Sequence, residues 1–284
     1  MAAIIHAIIL GIIEGFTEFL PISSTGHLIV AEHAIGFKDM AELFTVVIQI
    51  GSVSAVIWYY RLDLIDRISG LLKREKEANK FWINLIIATI PAGLIGVALD
   101  KTLQKYAVPR TVAVSLILGG IVLWLVETYH HQNRGERSRA RLQAEERAPK
   151  AQLDTITSKQ ALGVGVAQVV SLVPGVSRSG ATIVGGLLSG LDRVTATAFS
   201  FYLSIPVMVL ATGYKVAKNH HQISQLPGGK TALIVGIVTA FITGLIAVSW
   251  LLQYVSKHDF KNFAYYRIVF GFFILLLLAG GFLH

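Results

Sequence analysis

Residues 14–27, with the sequence EGFTEFLPISSTGH, concentrate several groups that could do chemistry within an apolar context. Glu14 and Glu18 lie four residues apart, so on a helix both carboxylates share one face. Pro21 ends that helix, and small hydroxyl residues, a glycine and His27 follow. Because ionisable groups are costly at membrane depth, we interpret this stretch as a functional site.

The carboxylates of Glu14 and Glu18 are suitable ligands for a hard divalent cation, Mg²⁺ or Ca²⁺, which would be shared with a phosphate. The alternative is a pair that is hydrogen-bonded to backbone, or in which one member carries a proton. An intramembrane position favours the metal-binding interpretation.

The turn formed by Ser23, Ser24, Thr25 and Gly26 can expose consecutive backbone N–H groups at a helix start, where phosphate binds readily. Ser24 and His27 are three residues apart and can face each other across a helical turn. We predict that Ser24 is a nucleophile and His27 its general base. A competing scheme forms a phosphohistidine on His27, with Ser24 only orienting phosphate. Taken alone, the pair would also fit a helix cap beside an interfacial histidine.

A second stretch, residues 174–180 with the sequence PGVSRSG, places Arg178 between two serines. A guanidinium at membrane depth costs about 2.5–3.5 kcal/mol on insertion scales. A phosphate would be a bidentate partner that offsets this cost. A salt bridge to one of the two carboxylates is the alternative. Since Gly175 and Gly180 leave room for close backbone approach, we predict that Arg178 contacts phosphate.

The composition indicates a polytopic membrane protein. Of 284 residues, 54% are hydrophobic and 15% charged, and the mean hydropathy is +0.62. The absence of cysteine excludes disulfides and thiolate metal sites. The net charge of +8 comes from basic loops without interleaved aromatic residues, which argues against nucleic-acid binding.

The pattern of apolar runs predicts an all-α protein with two similar halves. Each half is a broken, re-entrant helical hairpin followed by three transmembrane helices. We assign residues 1–130 to the first repeat, 131–159 to a cytoplasmic linker and 160–284 to the second repeat. The predicted hairpins are residues 2–36 and 160–191, the spans are 43–60, 81–99, 111–129, 195–217, 231–255 and 263–283, and residues 61–80 form a charged loop.

The two halves align without gaps at an offset of 154 residues. Residues 10–26 then lie over 164–180, and Gly11, Ser23 and Gly26 coincide with Gly165, Ser177 and Gly180. Because three spans is an odd number, the second half must be inverted in the membrane relative to the first. An inverted repeat places a site where the broken elements meet, so the two tips should bring Arg178 close to a phosphate held by Ser24.

The loops at residues 61–80, 130–159 and 256–262 hold fifteen Lys and Arg residues, against five in residues 100–109 and 215–230. This bias predicts that the first group of loops is cytoplasmic. Both termini and the entrance to the first hairpin then face outward.

The stretches EGFTEFLPISSTGH and PGVSRSGATI resemble the two signature regions of the bacterial undecaprenyl-diphosphate phosphatase family, also called bacitracin-resistance proteins. The resemblance covers the whole length. It implies hydrolysis of undecaprenyl diphosphate to undecaprenyl phosphate and inorganic phosphate, which recycles the lipid carrier for peptidoglycan and so serves cell-wall synthesis, cell shape and bacitracin resistance. It also implies dependence on a divalent metal, a multi-pass location in the bacterial inner membrane, and an active site that faces the periplasm or exterior.

Carried onto this sequence, the resemblance implies that Glu14 and Glu18 are the acidic pair and that Ser24, His27 and Arg178 complete the catalytic set. It adds three positions of the second motif as phosphate contacts. The full predicted substrate-binding set is Ser23, Thr25, Gly26, Ser177, Ser179, Gly180 and Thr182.

Two other functions stay open. Inverted repeats with broken helices are also a transporter architecture, so a lipid flippase or transporter is one alternative. The acid-phosphatase-like lipid phosphatases are the other, but the further His and Lys-Arg-Pro motifs of that family are absent. The sequence fixes neither the metal nor the chain-length preference nor the oligomeric state, and a homodimer stays open.

Overall fold

The computed structural model describes residues 1–39, 43–137 and 151–283, and these ranges contain helices and connections but no β-strand. This confirms the predicted all-α class. The α-helices are α1 (Ala2–Thr17), α2 (Ser24–Ile35), α3 (Leu43–Tyr59), α4 (Arg61–Leu72), α5 (Lys76–Lys105), α6 (Pro109–Arg137), α7 (Ser158–Val170), α8 (Arg178–Leu188), α9 (Arg193–Asn219), α10 (Gly229–Val255) and α11 (Lys261–Ala279). Two short 3₁₀ segments are Leu153–Thr155 and His220–Gln225.

Within the described ranges, five helices are long and apolar enough to cross a membrane: α5, α6, α9, α10 and α11. They coincide with five of the six predicted spans. The remaining predicted span, residues 43–60, corresponds to α3, which has 17 residues and continues into α4 after a bend of 74°. If that bent pair is one span, the number is six, as predicted. The chain is therefore a multi-pass membrane protein.

The prediction of a charged loop at residues 61–80 is wrong for residues 61–72, which form α4, and for residues 76–80, which begin α5. The helix is amphipathic, and a salt bridge of 2.6 Å between Arg67 Nε and Asp63 Oδ2 spans one of its turns. Leu64 and Gly70 are buried on its inner side. The high charge of this segment led to the loop prediction, but residues 61–72 form a helix that follows α3 after a bend of 74°.

Both predicted hairpins are pairs of helices interrupted by a short break. Residues 18–23 separate α1 from α2, and residues 171–177 separate α7 from α8. Each break contains a proline, Pro21 or Pro174, which lacks the N–H needed to continue a helix. A capping box starts α7, since Thr157 Oγ1 accepts from Gln160 N while Gln160 Oε1 accepts from Thr157 N.

The two breaks also share an unusual backbone conformation. Ser23 and Ser177, which coincide in the 154-residue alignment, have φ values of 70° and 68° and directly precede α2 and α8. A positive φ at a residue other than glycine costs of order 1–3 kcal/mol. The match between the two halves thus extends from sequence to local backbone, while their inverted relation stays a prediction.

The helices of the two halves interleave. In the first half α1 and α3 pack against α10 of the second, α5 packs against α7, and α6 packs against α11. The matched glycines Gly11 and Gly165 make two of these contacts close. A Cβ at Gly11 would lie 2.6 Å from Gly236 O, and one at Gly165 would lie 2.6 Å from Ala88 O. Small residues let membrane helices approach in this way.

The predicted linker, residues 131–159, is partly helical, because α6 continues to Arg137. Residues 138–150 lie outside the described residues. After them, the chain returns to the helices through the Leu153–Thr155 segment, where Asn84 Nδ2 of α5 donates to Ile156 O at 2.7 Å.

Candidate active site

Glu14 and Glu18 lie at the carboxyl end of α1 with the predicted helical spacing, since the Glu18 N–H donates to Glu14 O at 2.9 Å. Glu14 is fully buried, and its Oε1 accepts a 3.3 Å hydrogen bond from Ser52 Oγ of α3. Its Oε2 is buried and has no hydrogen-bond partner in the part of the chain that the structure describes. An unpaired buried carboxylate oxygen is unusual, and a proton, a water molecule or a bound cation would satisfy it.

Glu18 connects the two broken elements through its two carboxylate oxygens. Oε2 accepts a hydrogen bond of 2.7 Å from the hydroxyl of Ser24, the first residue of α2. Oε1 accepts one of 3.0 Å from Nη2 of Arg178, the first residue of α8. We call these three side chains the tip bridge. The bridge joins a hydroxyl and a guanidinium, each at the start of a helix, through a carboxylate at the end of α1.

The two tips meet, as the alignment predicts. Besides the tip bridge, Ser179 Oγ of the second tip donates to Leu20 O of the first at 2.9 Å. The Arg178 guanidinium also contacts Ser200 O at 3.1 Å and Met208 Sδ at 3.4 Å. Its Nε is buried without a hydrogen-bond partner among the described residues. Arg178 is therefore held in place by these contacts, and it does not line the cavity that adjoins Ser24.

A cavity of about 290 Å³ adjoins the tip bridge at Ser24. Ser24 and Thr25 line it from the first turn of α2, and Ser171 and Pro174 line it from the second break. Its other polar lining residues are Glu32, Thr45, Gln49, Asp100 and Lys215, and the apolar side chains of Leu28, Ile29, Val46, Leu103, Ala107 and Leu172 complete the wall. Both broken elements thus form its wall, which carries polar and apolar groups in nearly equal share.

The predicted substrate-binding residues of the first tip differ in their surroundings. Thr25 is exposed on the cavity wall. Ser23 is buried. Gly26 faces α6, where an added Cβ would lie 3.0 Å from Leu116 Cδ1. Of these three, Thr25 is in position to contact a ligand in the cavity.

The predicted substrate-binding residues of the second tip have internal partners. Ser177 Oγ accepts from Gly180 N at 3.1 Å and caps α8. Thr182 Oγ1 lies 2.6 Å from Ser200 Oγ and donates to Arg178 O. The cavity lining includes none of the four residues Ser177, Ser179, Gly180 and Thr182. Their geometry fixes the start of α8, and a contact with substrate stays a prediction.

The structure contains no hydrogen bond between Ser24 and His27, the predicted nucleophile and general base. His27 Nδ1 lies 2.8 Å from Ser23 O, and since a carbonyl only accepts, Nδ1 carries the proton. In the neutral ring, Nε2 then accepts from Tyr266 OH at 2.7 Å. The ring also stacks on Phe270, with a centroid distance of 4.3 Å. Helical spacing alone does not reveal that Glu18 accepts a hydrogen bond from Ser24 across the break. Nor does it reveal that Tyr266 and Phe270 of α11 contact the His27 ring.

Two residues at the site were not predicted. Ser52 on α3 is fully buried and is the hydrogen-bond partner of Glu14. Arg267 on α11 is buried beside both tips and donates to Pro21 O and Val176 O. Nothing in the sequence near Ser52 sets it apart. Arg267 carries a usable signal, because a lone arginine inside an apolar span usually has a function.

Of the two predicted metal ligands, Glu14 and Glu18, only Glu14 has a carboxylate oxygen without a hydrogen bond to a described residue. Glu14 Oε2 is a free carboxylate oxygen, whereas both oxygens of Glu18 are hydrogen-bonded. Among the residues described, no three His, Cys, Asp or Glu side chains are grouped to hold a metal. A cation at Glu14 would therefore need oxygen ligands from phosphate and water, which is the usual situation for Mg²⁺.

Comparison with known proteins shows similarity over nearly the whole chain. A family model described as bacitracin resistance protein BacA matches residues 7–273. An undecaprenyl-diphosphatase of Neisseria gonorrhoeae is 45% identical over 280 residues, covering 98% of this chain and 96% of its own length. Undecaprenyl-diphosphatase 1 of Burkholderia thailandensis is likewise 45% identical, with the same coverage. Undecaprenyl-diphosphatase 1 of Paraburkholderia xenovorans is 46% identical, covering 97% of this chain and 95% of its own length.

Proposed function

The chain belongs to the family of the bacitracin resistance protein BacA, and we propose that it is a membrane undecaprenyl-diphosphatase. It hydrolyses undecaprenyl diphosphate to undecaprenyl phosphate and inorganic phosphate, which returns the lipid carrier to peptidoglycan synthesis. The observation that carries the proposal is the tip bridge, whose Ser24 lines a cavity between the two broken elements. Hydrolysis of a phosphoanhydride needs a nucleophile, a base and a stabilising positive charge, and the bridge supplies all three.

The geometry supports a two-step reaction. Ser24 Oγ attacks the terminal phosphorus while its proton passes to Glu18 Oε2, its 2.7 Å partner. The anhydride P–O bond breaks, undecaprenyl phosphate leaves, and the phosphoryl group stays on Ser24. Glu18 then returns the proton to Ser24 as water attacks phosphorus and inorganic phosphate departs. Glu18 thereby takes the role of general base that the sequence assigned to His27.

Arg178 supplies the positive charge. Its guanidinium shares Glu18 with Ser24, and its Nε–H is buried and unpaired among the described residues, so binding a phosphate on Ser24 would require a side-chain movement that opens the Glu18 contact. A planar guanidinium is well suited to the bidentate recognition of phosphate. We expect that the charge developing on the transferred phosphoryl group is stabilised here.

We also propose a divalent cation at Glu14. When bound, it would neutralise part of the diphosphate charge and polarise the phosphoryl oxygens. We expect Glu14→Gln to raise the metal concentration needed for half-maximal turnover at least ~10-fold, because it removes the member of the Glu14–Glu18 pair that has a free oxygen. Glu77→Gln, an exposed carboxylate of α5, is the control. Full activity of the wild-type chain in excess chelator would contradict a metal requirement.

The base assignment predicts the behaviour of His27→Gln. The histidine orders Ser23 and packs on α11 but takes no proton from Ser24, so turnover should fall no more than ~10-fold. The loss relative to wild type should be the same at each pH across the active range. Activity of His27→Gln that recovers toward wild type as pH rises would indicate instead that His27 is the general base.

We propose that the cavity faces the periplasm or exterior of the bacterial inner membrane. Asp100 and Lys215 line it near the carboxyl ends of α5 and α9, on the side that the charge bias assigns to the outside. A lipid headgroup in the outer leaflet would enter from there, with its isoprenoid tail among the spans.

Cysteine labelling tests this orientation, because the chain has no native cysteine. Ala2→Cys should react with an impermeant reagent from outside intact cells, and Lys73→Cys, between α4 and α5, only after permeabilisation. Both positions are exposed. Ser138, in the predicted cytoplasmic linker, lies outside the described residues and can serve as a second inner position. Labelling of Ala2→Cys and Lys73→Cys from the same side would refute the predicted topology.

Reconstitution separates the proposed enzyme from a flippase or transporter. The purified chain in proteoliposomes should release phosphate from undecaprenyl diphosphate without net lipid or ion movement. Lipid movement without phosphate release would favour the transporter alternative instead.

A further inference from the structure

Arg267 is a fully enclosed cation in the second turn of α11. Its side chain is 1% exposed, and none of its hydrogen bonds with described residues goes to a carboxylate. All of its partners are backbone carbonyls from three separate segments. They are Pro21 O at 3.1 Å, Ser115 O at 3.3 Å, Leu116 O at 3.4 Å, Gly175 O at 3.4 Å and Val176 O at 3.0 Å.

This arrangement is uncommon for a buried charge, which usually pairs with an acidic side chain. A guanidinium has five N–H donors in a rigid plane and can therefore bind several carbonyls at fixed angles. Here the first break contributes Pro21 O, and the second break contributes Gly175 O and Val176 O. Arg267 thus links the two breaks to each other and to α6.

Two glycines make room for the guanidinium. A Cβ at Gly119 of α6 would lie 2.1 Å from Arg267 Nη2, and a Cβ at Gly180 of α8 would lie 3.0 Å from Nη1. Any larger residue at Gly119 would displace the guanidinium from its carbonyls. The space is shaped for this one side chain.

The carbonyls that Arg267 holds lie next to the tip bridge in sequence. Pro21 stands midway between Glu18 and Ser24, and Val176 stands two residues before Arg178. A shift of either carbonyl would move one side of the bridge relative to the other. Arg267 itself does not line the cavity, and its guanidinium is directed to the backbone of the tips.

We propose that Arg267 is a positioning residue that sets the relative placement of the two tips, so that Ser24, Glu18 and Arg178 meet. The proposal rests on the proposed phosphatase function for its kinetic consequence. Because Arg267 acts through the tips and not on the substrate, its loss should lower kcat and leave KM largely unchanged.

Arg267→Lys tests the proposal, since lysine keeps the charge but cannot reach carbonyls of both breaks in one plane. Small misplacements of reacting groups can cost about 100-fold in rate, so we expect kcat to fall ~30- to 100-fold, with KM changed less than ~3-fold. The matched control is Arg193→Lys, because Arg193 is a partly buried arginine bound by Glu127, outside the tip bridge. This control should retain kcat per folded protein.

Gly119→Ala tests the same guanidinium without changing any charge, because the added methyl group would displace it. It should reproduce the loss of kcat, whereas Gly271→Ala should not. A Cβ at Gly271 would press on the same α6–α11 interface, 2.6 Å from Ile117 Cγ1, but not on Arg267. An equal loss of kcat in both alanine variants would mean that helix packing, and not the guanidinium, controls the site.

A distance measurement tests positioning without any assay of activity. Spin labels on Phe16→Cys, at the end of α1, and Val173→Cys, in the second break, report the separation of the tips, and both residues are exposed. The wild-type background should give a narrow distance distribution, and Arg267→Lys a broader or shifted one. An unchanged distribution together with unchanged kcat would overturn the proposal. If the wild-type chain releases no phosphate, the proposed function fails and the distance distribution still decides on positioning.

Discussion

Ser24→Ala is expected to lower turnover of undecaprenyl diphosphate at least ~1000-fold, equivalent to about 4 kcal/mol of barrier. The hydroxyl lines the cavity and donates to Glu18 Oε2 at 2.7 Å, so it has both access to the substrate and a base for its proton. Without it, only the charges of the site remain to assist direct attack by water. Phosphate release by purified, folded protein measures the effect.

Thr25→Ala is the control for Ser24→Ala. Thr25 also lines the cavity with a hydroxyl, one residue further along α2, but it has no role in the tip bridge. Its loss should stay below about 10-fold, in the range of a single binding contact. A Ser24→Ala variant that keeps more than about a tenth of wild-type turnover has lost less than ~1.4 kcal/mol, which would exclude Ser24 as the nucleophile.

Glu18→Gln is expected to lower kcat at least ~100-fold, or about 2.7 kcal/mol. Glutamine fills nearly the same space, but it cannot take the proton of Ser24 and removes the negative charge that pairs with Arg178. The fold should survive, because the Ser179–Leu20 and Arg267 contacts still join the tips.

Glu127→Gln is the matched control for Glu18→Gln. Glu127 is a fully buried carboxylate bound to an arginine, Arg193, at 2.6 Å, but it lies outside the tip bridge and the cavity. Its loss should lower stability more than kcat, since breaking a buried ion pair leaves an uncompensated charge. Equal losses of kcat in the two variants would show that Glu18 acts only through the fold.

The parts of this protein that local pattern dictates could be predicted from the sequence. Apolar runs of about 20 residues predict membrane helices, and a proline within a short apolar run predicts the breaks at Pro21 and Pro174. The costly charges at Glu14, Glu18 and Arg178 predicted a site, because a membrane segment rarely keeps such groups without a use, and Glu18 and Arg178 do lie in contact. The coincidence of Ser23 with Ser177 predicted that the two tips are alike.

The contacts that depend on how the chain folds back could not be predicted. Both a phosphate and a carboxylate were considered for Arg178, and the salt bridge to Glu18 is the contact that the structure contains. Ser24 bonds to Glu18 across the break, whereas spacing along α2 favoured His27. Arg267 lies 246 residues from Pro21, and no local pattern connects them.

The identity of the residue that carries the phosphoryl group tests the account most directly. Undecaprenyl diphosphate labelled in its terminal phosphate should be mixed with purified enzyme, quenched in acid at a series of early times, and mapped by peptide. We predict acid-stable label on Ser24 in the wild-type chain, more of it in variants with slowed hydrolysis, and none in Ser24→Ala. Label on His27, label that persists in Ser24→Ala, or turnover without label at any quench time would contradict the account.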